Sequence, residues 1–272
     1  MAQKKKPQNK WIWGAVVIVA LLFGGQTLSN IEDKSFSTLV EDTVTNIFSD
    51  EKTVKSNASS ADDLLAIQWD HNPEHMVVEL NNNQPTFTQE ELAVPSADNG
   101  FYQTLSPLDQ LNRVGVADAM LVDTAMPTEK RDERLTVDPT GWKNKQYTAT
   151  NDEGKQVKLS LYNRGHLIGY QFTGLNSEPK NLATMTRVTN APVMVKYENE
   201  IAAYLKETGN HVRYRVTPVF KDEELVARGF QLEAQSIETN DIQYNLYLLN
   251  VQEGVNINYQ DGSSVIGQEQ TY

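Results

Sequence analysis

The alternation of apolar and polar residues becomes regular only after about residue 64, and from there it predicts mostly β-strands. Short segments in which apolar residues recur at every second position, or stand together between turn residues, are typical of strands. Such segments cover residues 64–69, 75–80, 113–122, 157–161, 212–219, 225–232 and 244–251. We therefore predict an α+β fold with a central antiparallel sheet flanked by helices.

Two segments have helical signals instead. Residues 191–206 have apolar positions at helical spacing, and Gly209 follows as a stop signal. Thr88 and Glu91 stand three residues apart, which is the spacing of a capping box and predicts a helix start there.

The first 28 residues have the charge order of a targeting segment. Lys4, Lys5, Lys6 and Lys10 precede an uncharged run at 11–25, as in a signal peptide or in a helix whose N-terminus stays in the cytoplasm. Such a run spans roughly 22 Å as a helix, less than the ~30 Å of a bilayer core. A cleaved signal peptide and a retained membrane anchor both stay open, although the absence of a clear cleavage site favours the anchor. In either case we expect the remaining chain to be extracellular.

Residues 29–63 are polar, acidic and rich in serine. Such a segment can bury little apolar area, so we predict a linker there. Residues 64–272 are then the functional domain, which is consistent with one large domain and an appendage in a chain of 272 residues. The chain has no cysteine, which excludes disulfides, a thiolate nucleophile and a cysteine-based zinc site.

The net charge of −12 is unusual for a protein that binds nucleic acid, but the charge is unevenly distributed. Residues 26–99 contain 3 Lys+Arg and 14 Asp+Glu, a net charge of −11. Residues 155–221 contain 10 Lys+Arg and 4 Asp+Glu, a net charge of +6. The basic window therefore indicates where a nucleic-acid phosphate would bind.

The basic window contains residue types that phosphodiester hydrolysis needs. His166 lies within the segment 161–168, directly after Arg164 and Gly165, and has a side chain suited to deprotonating water near neutral pH. Asn190 or Asn181 offers a neutral oxygen to Mg²⁺, and Glu198 or Glu200 offers a carboxylate for metal-bound waters. Arginine side chains can bind phosphate, and the window places Arg164 and Arg187 near these groups.

The same residues resemble a known family. The basic window resembles the motifs of the DNA/RNA non-specific endonucleases, in particular those of streptococcal-type secreted or membrane-anchored DNases. The resemblance lies in Asn163-Arg164-Gly165-His166, in Asn181-Leu182-Ala183-Thr184, and in Asn190 with Glu198. The likeness extends over 64–272 and includes the segments 81–83, 126–131, 139–142 and 209–212. One departure is Asn163, where the family's commonest motif has Asp.

The resemblance implies a ββα-metal active site and a sugar-non-specific endonuclease that cuts DNA, with RNA as a further substrate, with little sequence preference. His166 would be the general base, Asn190 the direct ligand of Mg²⁺, which Mn²⁺ can replace, and Glu198 the acceptor for metal-bound waters. Arg164 would support the phosphate side of the site. From their chemistry, and not from the resemblance, we predict that Arg187 and Asn181 help to bind the substrate, and we predict no protein partner.

Other interpretations of these residues stay open. Arg164 can support the fold through an internal partner, Asn181 can cap a turn, and Arg187 can be solvated. His71 and His75 have a spacing that suits zinc on a helix, but Pro73 lies between them, so we do not expect a metal there. A different function, a catalytically inactive tethered protein that binds nucleic acid or makes surface interactions, is the alternative to an enzyme.

Overall fold

The computed structural model describes residues 54–132, 134–150 and 155–266. The predicted signal peptide or anchor at 1–28 and most of the predicted linker at 29–63 lie outside these residues. Within the described ranges, no helix is long and apolar enough to cross a membrane.

Strands dominate the described part of the chain, as the alternation of apolar residues predicted. The strands are β1 (Val54–Ser56), β2 (Val77–Leu80), β3 (Tyr102–Leu105), β4 (Ala117–Leu121), β5 (Gln146–Thr150), β6 (Gln156–Ser160), β7 (Tyr162–His166), β8 (Leu182–Thr186), β9 (Val212–Val219), β10 (Gly229–Ser236), β11 (Gln243–Leu249), β12 (Val255–Ile257) and β13 (Ser264–Ile266). The α-helices are α1 (Ala61–Ala66), α2 (Tyr170–Thr173) and α3 (Val195–Thr208).

Seven strands form the central sheet, in the order β1-β2-β11-β10-β9-β4-β3. All neighbours are antiparallel except β1 and β2, which pair in parallel. The predicted α+β class with a central sheet is therefore confirmed. Because β1 begins at Val54, the sheet includes residues that precede the predicted domain start at 64.

The segment that carries the sequence motif forms a separate antiparallel ribbon, β7 paired with β8, followed by α3. This is the ββα arrangement that the motif predicted. Helix α3 buries Ile201, Ala202 and Leu205 in the same apolar core as Tyr214 and Phe230 of the central sheet. The ribbon and the helix are thus packed on a rigid layer.

A buried asparagine fixes the ribbon to the central sheet. Asn250 is fully buried, and its Oδ1 accepts a hydrogen bond of 2.8 Å from the backbone N–H of Thr186. Its Nδ2 donates to the carbonyl oxygens of Thr184 at 3.1 Å and Ala227 at 2.9 Å. Such a satisfied buried network specifies one position for β8 relative to β10 and β11.

Two local predictions were wrong. Residues 64–69 were expected to form a strand, but Leu64 and Leu65 lie in α1, which begins at a capping box between Ser60 and Asp63. The signal at Thr88 and Glu91 does form its two reciprocal hydrogen bonds, of 2.8 and 3.2 Å. Those bonds close a turn, however, and no helix follows.

Candidate active site

His166 ends β7 and lies at the bottom of the proposed site, with 7% of its surface exposed. Its Nε2 atom is 2.8 Å from the backbone oxygen of Asn176. A carbonyl oxygen can only accept a hydrogen bond, so Nε2 carries the proton and the lone pair of the neutral ring is on Nδ1. This tautomer presents Nδ1 as the basic atom.

The surroundings of His166 keep its ring neutral. Burial is the largest cause that lowers the pKa of His166, and the positive charge of Arg131 lowers it further, to about 4. The backbone oxygens of Asn176 and Leu175 act in the opposite direction but are weaker. At neutral pH the imidazole is therefore unprotonated and able to accept a proton.

The glycine that precedes His166 is required by packing. A Cβ atom at Gly165 would lie 2.3 Å from the sulfur of Met185, which crosses Gly165 from the neighbouring strand β8. That distance is far below van der Waals contact. Gly165 thus allows the close approach of the two strands, and this explains the Arg-Gly-His sequence.

Glu198 lies in the first turn of α3 and is 6% exposed. Within the described residues, its Oε1 atom is buried without a hydrogen-bond partner. Burial raises the pKa of Glu198 to about 8, although hydrogen bonds from Gln171 and Gly169 and the charge of Arg131 favour the ionised form. A buried carboxylate oxygen without a partner lowers the stability of the fold unless a cation or a bound water interacts with it.

Gly169 makes room for the Glu198 carboxyl group. A Cβ atom at Gly169 would lie 2.6 Å from Oε1 of Glu198 and 2.9 Å from Cδ and Oε2. The backbone of Gly169 has φ −57° and ψ 143°, a conformation open to any residue. The glycine is therefore needed for space beside the carboxylate and not for backbone freedom.

Asn190 lies between β8 and α3, in the segment Thr189–Met194, and is half-buried. The sequence predicted a helix over residues 191–206, but Ala191 is extended, with φ −146° and ψ 116°, and α3 begins only at Val195. Thr189 fixes the start of this segment by donating a 2.8 Å hydrogen bond to the carbonyl of Leu249. An amide oxygen and a carboxylate are ligands that Mg²⁺ accepts, with waters in its other positions.

The donor set fits a metal held by few protein groups. Oε1 of Glu198 has no hydrogen-bond partner among the described residues, and a cation or a metal-bound water beside it would offset the cost of burying the carboxylate. In the described ranges, no group of three or more His, Asp or Glu side chains could hold a metal. Nδ1 of His75 lies 2.6 Å from a carboxylate oxygen of Asp70, and the ring of His71 lies against that of Trp69 at a tilt of 45°, with the ring centres 5.0 Å apart.

Of the two predicted arginines, Arg164 is held by contacts within the fold. Arg164 forms an ion pair with Asp138, to which its Nε donates at 3.0 Å, and its guanidinium lies 4.5 Å from the ring centre of Trp142. Arg187 is half-buried, and burial lowers the pKa of its guanidinium. Arg164 therefore supports the motif directly, and a contact of either arginine with substrate stays a prediction.

Asn181 has a clear structural partner. Its side chain is fully buried, its Oδ1 accepts from the N–H of Ile168 and its Nδ2 donates to the oxygen of Ile168, both at 2.9 Å. The amide thus clamps the chain two residues after His166. Because Asn181 is inaccessible, any contribution to substrate binding would act through this clamp.

Arg131 is a site residue to which the sequence assigned no role. Its side chain is exposed, yet its charge acts on both His166 and Glu198. The hydroxyl of Tyr170, in α2, donates a 3.0 Å hydrogen bond to the oxygen of Glu129 and so ties this segment to the site. The only sequence signal was the likeness of 126–131 to the endonuclease motifs.

The motif geometry agrees with comparison to known proteins. The family model described as DNA/RNA non-specific endonuclease matches residues 95–238, slightly more than half of the chain, and covers β7, β8 and α3. The chain belongs to this family. As a DNA/RNA non-specific endonuclease, it is a metal-dependent enzyme that hydrolyses phosphodiester bonds.

Solved structures of related nucleases have the same fold. Magnesium-bound NucA from Streptococcus agalactiae is 28% identical with a TM-score of 0.57, and its metal-free form is 26% identical with a TM-score of 0.56. Each alignment covers 70% of this chain and 86% of NucA. Zinc-bound Sda1 nuclease is 24% identical with a TM-score of 0.53, and the alignment covers 60% of this chain and 81% of Sda1. At this identity the likeness supports only the fold. The comparison with curated proteins gives no match.

Proposed function

We propose that this endonuclease is an extracellular, Mg²⁺-dependent enzyme that cuts DNA, and also RNA, without sequence preference, with His166 as the general base. The observation that carries the proposal is the environment of His166. Its Nε2–H is committed to Asn176, so the free lone pair is on Nδ1, and burial and Arg131 keep the ring neutral. A neutral, fixed imidazole is the state that a general base needs.

In the reaction that we propose, Nδ1 of His166 accepts a proton from a water molecule. The water oxygen then forms a bond to phosphorus, and the bond from phosphorus to the 3′ oxygen breaks. One product carries a 5′-phosphate, and the leaving 3′ oxygen takes a proton from solvent water to become a hydroxyl. The hydrogen bond from Nε2 to Asn176 becomes stronger once the ring is protonated, because an imidazolium is a better donor. The Asn176 carbonyl thus stabilises the ring as it takes up the proton.

The amide oxygen of Asn190 would bind the Mg²⁺ ion directly, and the carboxylate of Glu198 would accept hydrogen bonds from waters on the ion. Mn²⁺ can replace Mg²⁺. When bound, the ion supplies positive charge to the phosphate and to the leaving oxygen. NucA from Streptococcus agalactiae, a relative with the same fold, has been solved with magnesium bound, which supports this choice of ion. The fit within this chain rests on the unpartnered Oε1 of Glu198.

Arginine side chains would bind the phosphate. Arg131 is exposed and its charge already acts at the site, so we place it against the phosphate group. Arg187, directly after β8, would contact the backbone of the nucleic acid. Arg164 and Asn181 position the motif through Asp138 and Ile168. Contacts with the backbone and not with bases account for cleavage without sequence preference.

The location is proposed from the N-terminal sequence. Four lysines before an uncharged run at 11–25 would direct the catalytic domain out of the cell, as an anchored or a secreted enzyme. Separation of the nuclease from the cell's own DNA is a consequence of that arrangement.

The test is cleavage of supercoiled plasmid and of single-stranded RNA by the purified chain with Mg²⁺, with Mn²⁺ and with EDTA. We expect both substrates to be degraded with either ion and neither with EDTA. Cleavage that is unaffected by EDTA would contradict the metal dependence. A chain that shifts DNA in a gel but cuts nothing would be a binding protein instead.

A further inference from the structure

The segment that carries Arg131, residues 126–132, belongs to no helix or strand. Met126 packs against the apolar core at one end of it, and the next buried apolar residue along the chain is Leu135. Residues 128–132 are exposed. Apolar burial therefore does not fix the backbone at Arg131, and the direction of its side chain depends on individual hydrogen bonds.

Two side chains hold this segment on either side of Arg131. The hydroxyl of Tyr170, in α2, donates a 3.0 Å hydrogen bond to the backbone oxygen of Glu129. The side chain of Asn176 accepts a 3.2 Å hydrogen bond at Oδ1 from the backbone N–H of Asp132. A backbone N–H can only donate, so the amide of Asn176 must turn its oxygen towards the segment. The backbone is thus fixed two residues before Arg131 and one residue after it.

Asn176 is also the residue that fixes the proposed general base. Its backbone oxygen lies 2.8 Å from Nε2 of His166, while its side chain holds Asp132. One residue therefore joins the base to the Arg131 segment. The two contacts use different atoms, so a change of the Asn176 side chain removes the contact with Asp132 and leaves the backbone oxygen for His166.

The position of Arg131 matters because its charge acts at the site from an exposed side chain. That charge affects both His166 and Glu198, and the interaction between charges weakens with distance. An arginine on an exposed segment loses conformational freedom when it binds phosphate, and a backbone that is already fixed reduces this loss. The two hydrogen bonds would therefore improve the binding of phosphate without contacting it.

We propose that Asn176 and Tyr170 are positioning residues that hold Arg131 against the substrate phosphate, and that Asn176 joins this arginine to the general base. The inference rests on the proposed function, which places Arg131 at the phosphate. Both residues act through Arg131, so the loss of either should matter only while the arginine is present.

The test is a double-mutant cycle of Asn176→Ala with Arg131→Ala, read as kcat and KM for cleavage of a fluorescent DNA duplex at saturating Mg²⁺. We expect Asn176→Ala to lower kcat/KM about tenfold, mainly through KM, because His166 keeps its backbone partner. In the Arg131→Ala background, Asn176→Ala should change kcat/KM less than twofold. An equal loss in both backgrounds would mean that Asn176 acts on His166 or on the fold, and would overturn the proposal.

Ser177→Ala is the matched control in the same loop. Its hydroxyl oxygen accepts a 3.3 Å hydrogen bond from the backbone N–H of Thr136, beside the buried Leu135 and away from Arg131. This variant loses a bond of the same kind and should keep kcat/KM within twofold of the wild type. A tenfold loss in Ser177→Ala would show that any disturbance of the loop slows the enzyme, and would overturn the specific role of Asn176.

Tyr170→Phe tests the other side of the segment. It removes the hydroxyl that bonds to Glu129 and keeps the ring, so it should lower kcat/KM several-fold in the wild-type background and not in Arg131→Ala. If Asn176→Ala does not fold, as judged by circular dichroism, this second cycle decides the outcome. A Tyr170→Phe enzyme with the wild-type kcat/KM would then overturn the proposal.

The same cycles measured as DNA affinity, by fluorescence anisotropy in EDTA, need no cleavage and separate the proposal from the proposed function. A wild type that binds DNA but does not cut it would contradict the proposed function, and the binding cycles would then decide whether Arg131 is positioned. A wild type that cuts DNA, with Asn176→Ala equally fast, would overturn the positioning role alone. A wild type that neither binds nor cuts DNA would overturn both.

Discussion

Gly169→Ala tests whether the position of the Glu198 carboxylate controls catalysis. The new Cβ would lie 2.6 Å from Oε1, and ordinary contact begins at about 3.4 Å, so the oxygen must move by roughly 0.8 Å. A displacement of about 1 Å in a catalytic group can cost ~10²-fold in rate. We therefore expect kcat/KM to fall about 100-fold, which corresponds to roughly 2.7 kcal/mol of transition-state stabilisation.

The assay is the initial rate of plasmid cleavage at saturating Mg²⁺, with urea unfolding measured alongside. Overpacking is expected to lower the free energy of unfolding by about 1–3 kcal/mol. Gly209→Ala is the matched control, because a Cβ there meets nothing within 4 Å but the φ of +66° strains any other residue. The control should lose about 1 kcal/mol of stability and keep its activity. A Gly169→Ala enzyme as fast as the wild type would refute the reasoning.

Three further predictions concern the same site. Burial raises the pKa of Glu198 from 4.5 to about 8, so the folded chain keeps a proton that the unfolded chain releases between these values, and stability falls as pH rises through that window. Glu198→Gln in EDTA should therefore raise the free energy of unfolding by up to about 4 kcal/mol at pH 8 and leave it unchanged at pH 4. If variant and wild type were equally stable at pH 8, burial would not raise the pKa of Glu198. Asn181→Leu leaves the backbone N–H and oxygen of Ile168 without partners and should lower the free energy of unfolding in urea by about 2–5 kcal/mol. A decrease below about 1 kcal/mol would argue against the clamp. Arg131→Ala removes a charge that lowers the pKa of His166, so NMR titration should show a higher pKa for His166. Cleavage by this variant should slow by about 10²-fold. An unchanged pKa of His166 would mean that the two side chains are not coupled.

The sequence predicted those elements whose signal is local. Strand β9 was predicted with its observed bounds, because it is a long strand whose apolar and polar residues alternate at its first five positions. The C-terminus of α3 was also predicted from Gly209, which adopts φ +66° as a C-cap. The prediction failed at Leu64, where an apolar run was interpreted as a strand although the capping box at Ser60 begins a helix.

The site was only partly accessible from the sequence because its chemistry depends on tertiary contacts. Motif spacing led us to propose His166, Asn190 and Glu198, but nothing local indicates that Gly169 accommodates the Glu198 carboxyl group. The effect of Arg131 on His166 joins residues 35 positions apart and becomes apparent only in the folded chain. The structure likewise showed that Asn181 clamps Ile168, a role that the sequence left open between a turn cap and a ligand.

The most direct test of the account compares His166→Ala with His75→Ala in plasmid cleavage at saturating Mg²⁺. His75 is paired with Asp70 and has no role in the proposed reaction, so it controls for the loss of a histidine as such. We predict that His166→Ala lowers the rate by about 10²–10⁴-fold while the variant stays folded at the assay temperature, as judged by its melting curve, and that His75→Ala cleaves at the wild-type rate. Cleavage by His166→Ala within a few-fold of the wild type would contradict the claim that His166 is the general base.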